Sequence, residues 1–295
     1  MRCRFFAGSL LLVVGCSGQD SPDADPTTTS GPTVSATLLT EVDLTTQTDS
    51  AYALDWSADG EILAASAGVE LILLHTDLTE LAVLVPASGA LGATVSPDGL
   101  RYATVGGLHN SEITVWDWDA TTQQLTLAEE IDAGADQFAV SWSSDGQLLA
   151  SLAGDRDSTI QVWDTSTWGL IDEYELPFTN SRRALNWSAD SQVIYDAGEI
   201  DGEVGYFSID AHDGTATELG RLPLEQVTAF AISADAKRVA VADDSGEVRI
   251  FEVESGALLT EFQSVAQPID LAWNPVDGSL AILSYTTALQ LWSVS

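Results

Sequence analysis

Cysteine is almost missing from this sequence. There are two, Cys3 and Cys16. The chain beyond them can form no internal disulfide and offers no thiol for metal or nucleophilic chemistry. Histidine numbers only three, so a soft-metal centre or a His-based catalytic site has few donors to draw on. Basic side chains are also scarce, 10 against 45 acidic ones, for a formal charge of −35. Such a field repels phosphate and argues against a nucleic-acid partner. No apolar run after residue 15 reaches the roughly 18–20 residues of a membrane-spanning helix. The Gly-x-Ser-x-Gly elbow, the His-Glu-x-x-His pair and the phosphate-binding glycine loop are all lacking. Accordingly no residue is assigned a catalytic or metal-binding role, and no cofactor is expected.

What is present begins with an address. Met1–Arg4 is basic, and Phe5–Val14 is the apolar run FFAGSLLLVV. That run is too short to span a bilayer and has the build of a secretory signal. It ends in Val13-Val14-Gly15-Cys16, which resembles the bacterial lipobox. The resemblance implies cleavage after residue 15 and a lipid on Cys16, each buried methylene of which supplies roughly 0.8 kcal/mol of membrane affinity. Ser17 in place of aspartate resembles an outer-membrane or surface address more than an inner-membrane one. Residues 16–35 are small, polar and acidic, with too little apolar surface to fold, and read as a disordered tether. Asp20, Asp23 and Asp25 lie in it but lack the glycine and terminal glutamate of a helix–loop–helix calcium site.

Residues 36–295 are repetitive. Phe138–Asp164 shows the unit: three short strands, 138–143, 147–153 and 159–163, separated by turns. The first turn, Ser143-Ser144-Asp145-Gly146, recurs around Asp59, Asp98, Asp190, Asp235 and Asp277, at intervals of 39, 47, 45, 45 and 42 residues. Asp and Gly suit the tight backbone of a hairpin. A period near 40–45 with several strands per repeat points to a propeller. Each third strand ends on a large side chain: Leu74, Trp116, Trp163, Phe207, Phe251 and Trp292.

Trp116-Asp117 and Trp163-Asp164, with Phe251-Glu252 as a near copy, resemble the signature of the WD-repeat β-propeller family. The turns preceded by Trp56, Trp142, Trp187 and Trp273 are also similar to bacterial propellers with a Trp-Ser-Pro-Asp-Gly pattern. One feature departs from the family. Its blades carry a Gly-His pair, and the His, Ser/Thr, Asp and Trp form a hydrogen-bonded tetrad. His75, His109 and His212 do not stand at that place, so the tetrad is expected to be incomplete. The fold expected is all-β, a six-bladed propeller of four-stranded blades. The last repeat has only three strands, and Leu38-Leu39-Thr40-Glu41-Val42 nearly repeats the fourth strand Leu258-Leu259-Thr260-Glu261-Phe262. The N-terminal strand is therefore expected to complete the last blade and close the ring.

The residue pattern of the first strands predicts an axis. Trp56, Val95, Trp142, Trp187, Ile232 and Trp273, with Leu54, Ala93, Val140, Leu185, Phe230 and Leu271, should pack between blades. Asp55, Thr94, Ser141 and Asn186 should line the channel as a partial polar ring. Asp55, Asn186 and Asp270 are the candidate axial ligands. Arg182-Arg183, a basic doublet in an acidic chain, is the candidate contact for an anionic group on a partner. Trp118 and Trp168 are expected to cover outer strands. The function expected is a lipid-anchored, extracytoplasmic, non-catalytic scaffold or envelope assembly module. Its partner would be a protein, with the membrane reached through Cys16. The alternative is a six-bladed enzyme, a metal-dependent hydrolase or lactonase or a quinoprotein-like dehydrogenase, with an axial site.

Overall fold

Each predicted turn is a hydrogen-bonded cage made by its own residues. In the first, Ser57 Oγ donates to Asp59 Oδ1 at 2.6 Å and accepts the Ile62 N–H at 2.9 Å. Asp59 Oδ1 also accepts the Glu61 N–H at 3.1 Å. The Ser-to-Asp bond recurs at Ser96/Asp98, Ser143/Asp145, Ser188/Asp190 and Ser233/Asp235. The fourth position needs a left-handed backbone, which Gly60, Gly99 and Gly146 supply at φ 71°, 70° and 74° without a Cβ penalty. Ser191 and Ala236 take the same conformation at φ 60° and 54°, each at a cost on the order of 1 kcal/mol. The sixth turn has a longer spacing, and there Ser279 Oγ donates to Asp277 Oδ1 at 2.7 Å.

The computed structural model describes residues 34–44, 51–85, 89–106, 109–154, 159–179, 185–201, 203–222, 227–264 and 267–295. The signal, Cys16, nearly all of the tether and the Arg182-Arg183 pair lie outside the described residues. The described chain enters on β1 (Ala36–Asp43). Blade one is β2 (Ala51–Trp56), β3 (Ile62–Ala67), β4 (Glu70–His75) and β5 (Glu80–Leu84). Blade two is β6 (Gly92–Val95), β7 (Arg101–Val105), β8 (Glu112–Asp119) and β9 (Gln124–Asp132). Blade three is β10 (Gln137–Trp142), β11 (Leu148–Ala153), β12 (Thr159–Asp164) and β13 (Gly169–Glu175). Blade four is β14 (Asn186–Trp187), β15 (Val193–Ile200), β16 (Glu203–Asp210) and β17 (Ala216–Leu222). Blade five is β18 (Val227–Ile232), β19 (Arg238–Asp243), β20 (Glu247–Glu252) and β21 (Leu258–Gln263). Blade six is β22 (Pro268–Trp273), β23 (Leu280–Ser284) and β24 (Ala288–Val294), with β1 as its fourth strand in the order β1-β24-β23-β22. The antiparallel pairing runs from Ala36↔Val294 to Asp43↔Ala288. The fold is thus the expected six-bladed propeller, closed by its N-terminal strand.

The core is divided among the junctions. Among the described residues there are six apolar clusters, each drawing on two neighbouring blades. Trp56 and Leu54 pack with Ala272, Leu289 and Leu291 at the junction of blades six and one. Val95 and Ala93 pack with Leu71 and Leu73 of blade one. Strand alternation explains the sharing, because odd and even residues of one blade face opposite neighbours. All twelve inner-strand residues assigned to inter-blade packing are in these clusters. Where four other repeats have alanine and blade six has Asp270, blade two has Gly92, and a Cβ there would lie 3.2 Å from the Ala139 Cα of blade three. Trp118 is buried beside Tyr102, and Trp168 meets Trp142 edge to face at 6.0 Å.

Blade four corrects one assignment. Ile209, opposite Ile194, takes the place that Trp163 takes opposite Leu149; Phe207 lies two residues earlier on β16. The incomplete tetrad is seen in its parts. Trp163 Nε1 donates to Ser151 Oγ at 2.9 Å and Trp116 Nε1 to Thr104 Oγ1 at 3.1 Å. Asp164, the aspartate of the signature, instead caps the next turn, accepting the N–H groups of Ser166 and Thr167 at 2.9 Å. In blade one the Trp and Ser positions are held by Leu74 and Ala65, both fully packed. Replacing both partners by apolar groups leaves no unpaired group behind.

Candidate functional site

The inner strands surround an axial cavity of about 580 Å³. It runs from the turn residues Ala58, Pro97, Ser144 and Ala234 at one end to Tyr52 and Tyr285 at the other. Asp55, Ser141, Asn186 and Asp270 all line it, so the structure brings the candidate axial ligands together; Thr94, expected in the same ring, is instead buried at 1% exposure and is not part of the lining. It also gives them a task that the sequence did not reveal. Asp270 Oδ2 accepts the Leu54 N–H at 2.6 Å, from blade six to blade one. Asp55 Oδ2 accepts Thr94 Oγ1 at 2.7 Å and the Val95 N–H at 2.9 Å, from blade one to blade two. Thr94 Oγ1 in turn accepts the Trp142 N–H of blade three at 3.1 Å. Asn186 Oδ1 accepts the Ile232 N–H of blade five at 3.3 Å.

Other junctions are latched by tryptophan. Trp187 Nε1 donates to Ser141 O at 3.0 Å, Trp273 Nε1 to Ala231 O at 3.3 Å, and Trp56 Nε1 to Ala272 O at 3.3 Å. With these, all six junctions carry a hydrogen bond between inner strands. The two kinds of latch are complementary at five of the junctions; at the sixth, between blades two and three, Thr94 Oγ1 takes the Trp142 N–H and the Trp142 indole donates to Gly146 O of its own blade at 3.3 Å. Where the next blade has Val95 or Ile232 and so no indole, the preceding axial residue is Asp55 or Asn186. Where the axial residue is Ser141, Ala231 or Ala272, the next blade supplies a tryptophan. This pairing of residue types, 40 to 46 positions apart except across the ring closure, is a sequence signal that would have disclosed the girdle.

The electrostatics single out the junction of blades six and one. Burial pushes the Asp55 carboxyl up to about 6, against the opposing hydrogen bonds from Thr94, Val95 and Trp56. Burial pushes Asp270 up to about 7, against the N–H groups of Leu54 and Leu271, and the charge of Asp55 raises it further. An acid whose pKa is raised by folding favours the folded state at low pH; that contribution is complete below about pH 4 and is lost as pH rises through about 6 and 7. Turn carboxylates act in the other direction. Asp59, held down by Ser57 and the Glu61 N–H, favours folding above about pH 4 and loses that effect in acid. Between pH 5 and 8 the axial pair therefore sets the slope. We expect stability to fall across this range by on the order of 2 kcal/mol, allowing for water in the cavity. Asp55→Asn should flatten the slope by removing one titration and lowering the other. Urea midpoints at half-unit pH intervals check this; an equal slope in the variant would contradict it.

Among the described residues no group of three or more His, Cys, Asp or Glu is arranged to hold a metal, and no helix is long and apolar enough to cross a membrane.

The architecture defines a closed β-propeller of four-stranded blades. Residues 133–164, spanning most of blade three, match the family described as "WD domain, G-beta repeat", and the turn pattern recurs around the ring. The chain is similar in fold to Kuenenia stuttgartiensis hydrazine synthase, with a TM-score of 0.65 at 14% identity over 84% of this chain and 96% of that one. It is likewise similar to the β-propeller domain of Myceliophteria thermophila Cps50 (Swd1), with a TM-score of 0.66 at 11% identity over 88% of this chain and 100% of that one. At such identities the likeness is one of fold. No curated protein matches the sequence.

Proposed function

We propose that the protein is a lipid-anchored, extracytoplasmic propeller that acts as a protein-binding scaffold or envelope assembly module without catalysis of its own. WD-repeat propellers generally mediate protein interactions, and stacked blades present their loops for that purpose. The observation that carries the reading is the girdle. Asp55, Asn186 and Asp270, the polar residues best placed for axial chemistry, each bond the next blade, as does the buried Thr94, which suits a rigid platform. The anchor rests on the lipobox-like Val13–Cys16, and the outer membrane or cell surface on Ser17. Arg182 and Arg183 would grip an anionic group of the partner.

Two measurements test this. Cys16→Ser should move the protein from the membrane fraction to the soluble one; retention in the membrane would overturn the anchor. Crosslinking in native membranes should trap a protein partner, and Arg182→Ala with Arg183→Ala should reduce its recovery at least several-fold. No specific crosslink, or one indifferent to both arginines, would overturn the proposed contact.

A further inference from the structure

The axial cavity has a feature that latching does not explain. Asp55 and Asn186 occupy the same place in their repeats and share one bond, each accepting the N–H that precedes the next blade's turn, while Asp55 accepts the Thr94 hydroxyl as well. The neutral amide suffices in blade four. The charge of Asp55 is therefore surplus to the latch, and it is costly, since a carboxylate removed from water is penalised unless a cation compensates it. Asp270 adds a second carboxyl from the adjacent blade. Among the described residues that line the cavity there is no lysine, arginine or histidine, and these two are the only carboxyl groups.

The geometry points to a binding site for a small organic ammonium compound in this cavity, with Asp55 and Asp270 as its counter-charges. The volume of about 580 Å³ is that of a small-molecule pocket, which typically spans about 300–1,000 Å³, and far exceeds a single metal ion. The carboxyl oxygens are already engaged by backbone N–H groups, Asp270 through both of its oxygens, so few lone pairs are left for a metal that needs six or more oxygens. The remaining wall suits a cation with a hydrocarbon body: the exposed rings of Tyr52 and Tyr285 stand at one mouth, and the largely buried Trp56, Trp142 and Trp187 contribute apolar surface to the lining. Aromatic faces attract such cations in addition to burying their carbon. Since burial holds both carboxyls partly protonated near neutrality, binding an ammonium ion should expel protons.

Asp55→Asn is the clean variant, because Asn186 shows that an amide preserves the latch; Asp270 has no neutral isostere that keeps both of its bonds. The full chain is titrated calorimetrically at pH 7 with 1,4-diaminobutane, tetramethylammonium and calcium chloride. A background of 0.5 M NaCl screens the acidic surface, and two buffers of different ionisation heat report proton release. We expect saturable one-to-one binding of an ammonium probe with proton release, weakened at least tenfold by Asp55→Asn in a variant that keeps a cooperative melting transition. Non-saturable heats, binding of calcium alone, or equal affinity in the variant would each overturn the site. Should Asp55→Asn fail to fold, the wild-type carboxyls are titrated with and without the ammonium probe. A downward displacement of their pH midpoints supports the site, and unmoved midpoints overturn it.

Discussion

A chain lacking residues 36–44 is expected to lose the entire propeller's cooperative melting transition, and not merely one strand of one blade. Seven residues of β1 pair with β24. Beyond that ladder Ser35 and Ser295 exchange backbone bonds at 2.7 and 3.0 Å, and the Leu44 N–H reaches Thr287 O at 3.0 Å. Gln290 Nε2 also donates to Glu41 Oε2 at 2.7 Å. Val42 of the strand packs at the junction of blades six and one, and Val34, which the strand holds in place from just before it, packs at that of blades five and six. Deletion would open an unpaired edge at β24 and loosen both junctions beside it. A domain of ordinary stability has about 5–15 kcal/mol to lose, and the six junction cores share their residues around one ring. Circular dichroism melting checks the outcome. A transition of unchanged midpoint would show that blade six stands on three strands. Adding a peptide of residues 34–44 in trans should restore much of the transition if the strand acts by pairing.

That closure was legible in the sequence because β1 and β21 nearly repeat one another, and a fourth strand was missing where the chain stops repeating. The turns were legible for a local reason: Ser, Asp and Gly satisfy one another's geometry within four residues, so the chemistry is written in one short word. The inner-strand packing followed from alternation alone. The girdle was not legible in the same way. Asp270 and Leu54 are 216 residues apart, and Trp187 and Ser141 are 46 apart; no single repeat contains both halves of a latch. The misplacement of Phe207 has a physical cause as well. A strand shifted by two residues presents the same face, and Phe207 and Ile209 are buried in the same cluster. Burial could not separate them; only the pairing of Ile209 with Ile194 does.

Trp273 allows the latch to be weighed against the packing. It is buried at 7% exposure, its indole donates to Ala231 O at 3.3 Å across the junction of blades five and six, and the Arg238 guanidinium lies 4.9 Å from its ring centre. Trp273→Ala should cost about 3–5 kcal/mol, the usual range for emptying a buried aromatic site, with the loss of the Arg238 contact contributing about 0.5–1 kcal/mol. Trp273→Phe keeps a ring in the core and beneath Arg238 but removes the N–H, leaving Ala231 O without its partner at a cost of about 1–3 kcal/mol. Urea unfolding with equal m-values in all three chains would make the comparison valid. If Phe proves as damaging as Ala, the hydrogen bond governs the junction; if Phe is neutral, the indole latch adds nothing to packing. An intermediate value is the one expected. It would mean that Trp56, Trp187 and Trp273 recur before the turns for two reasons at once, filling the junction and closing it, whereas Val95 and Ile232 fill theirs and leave closure to Asp55 and Asn186.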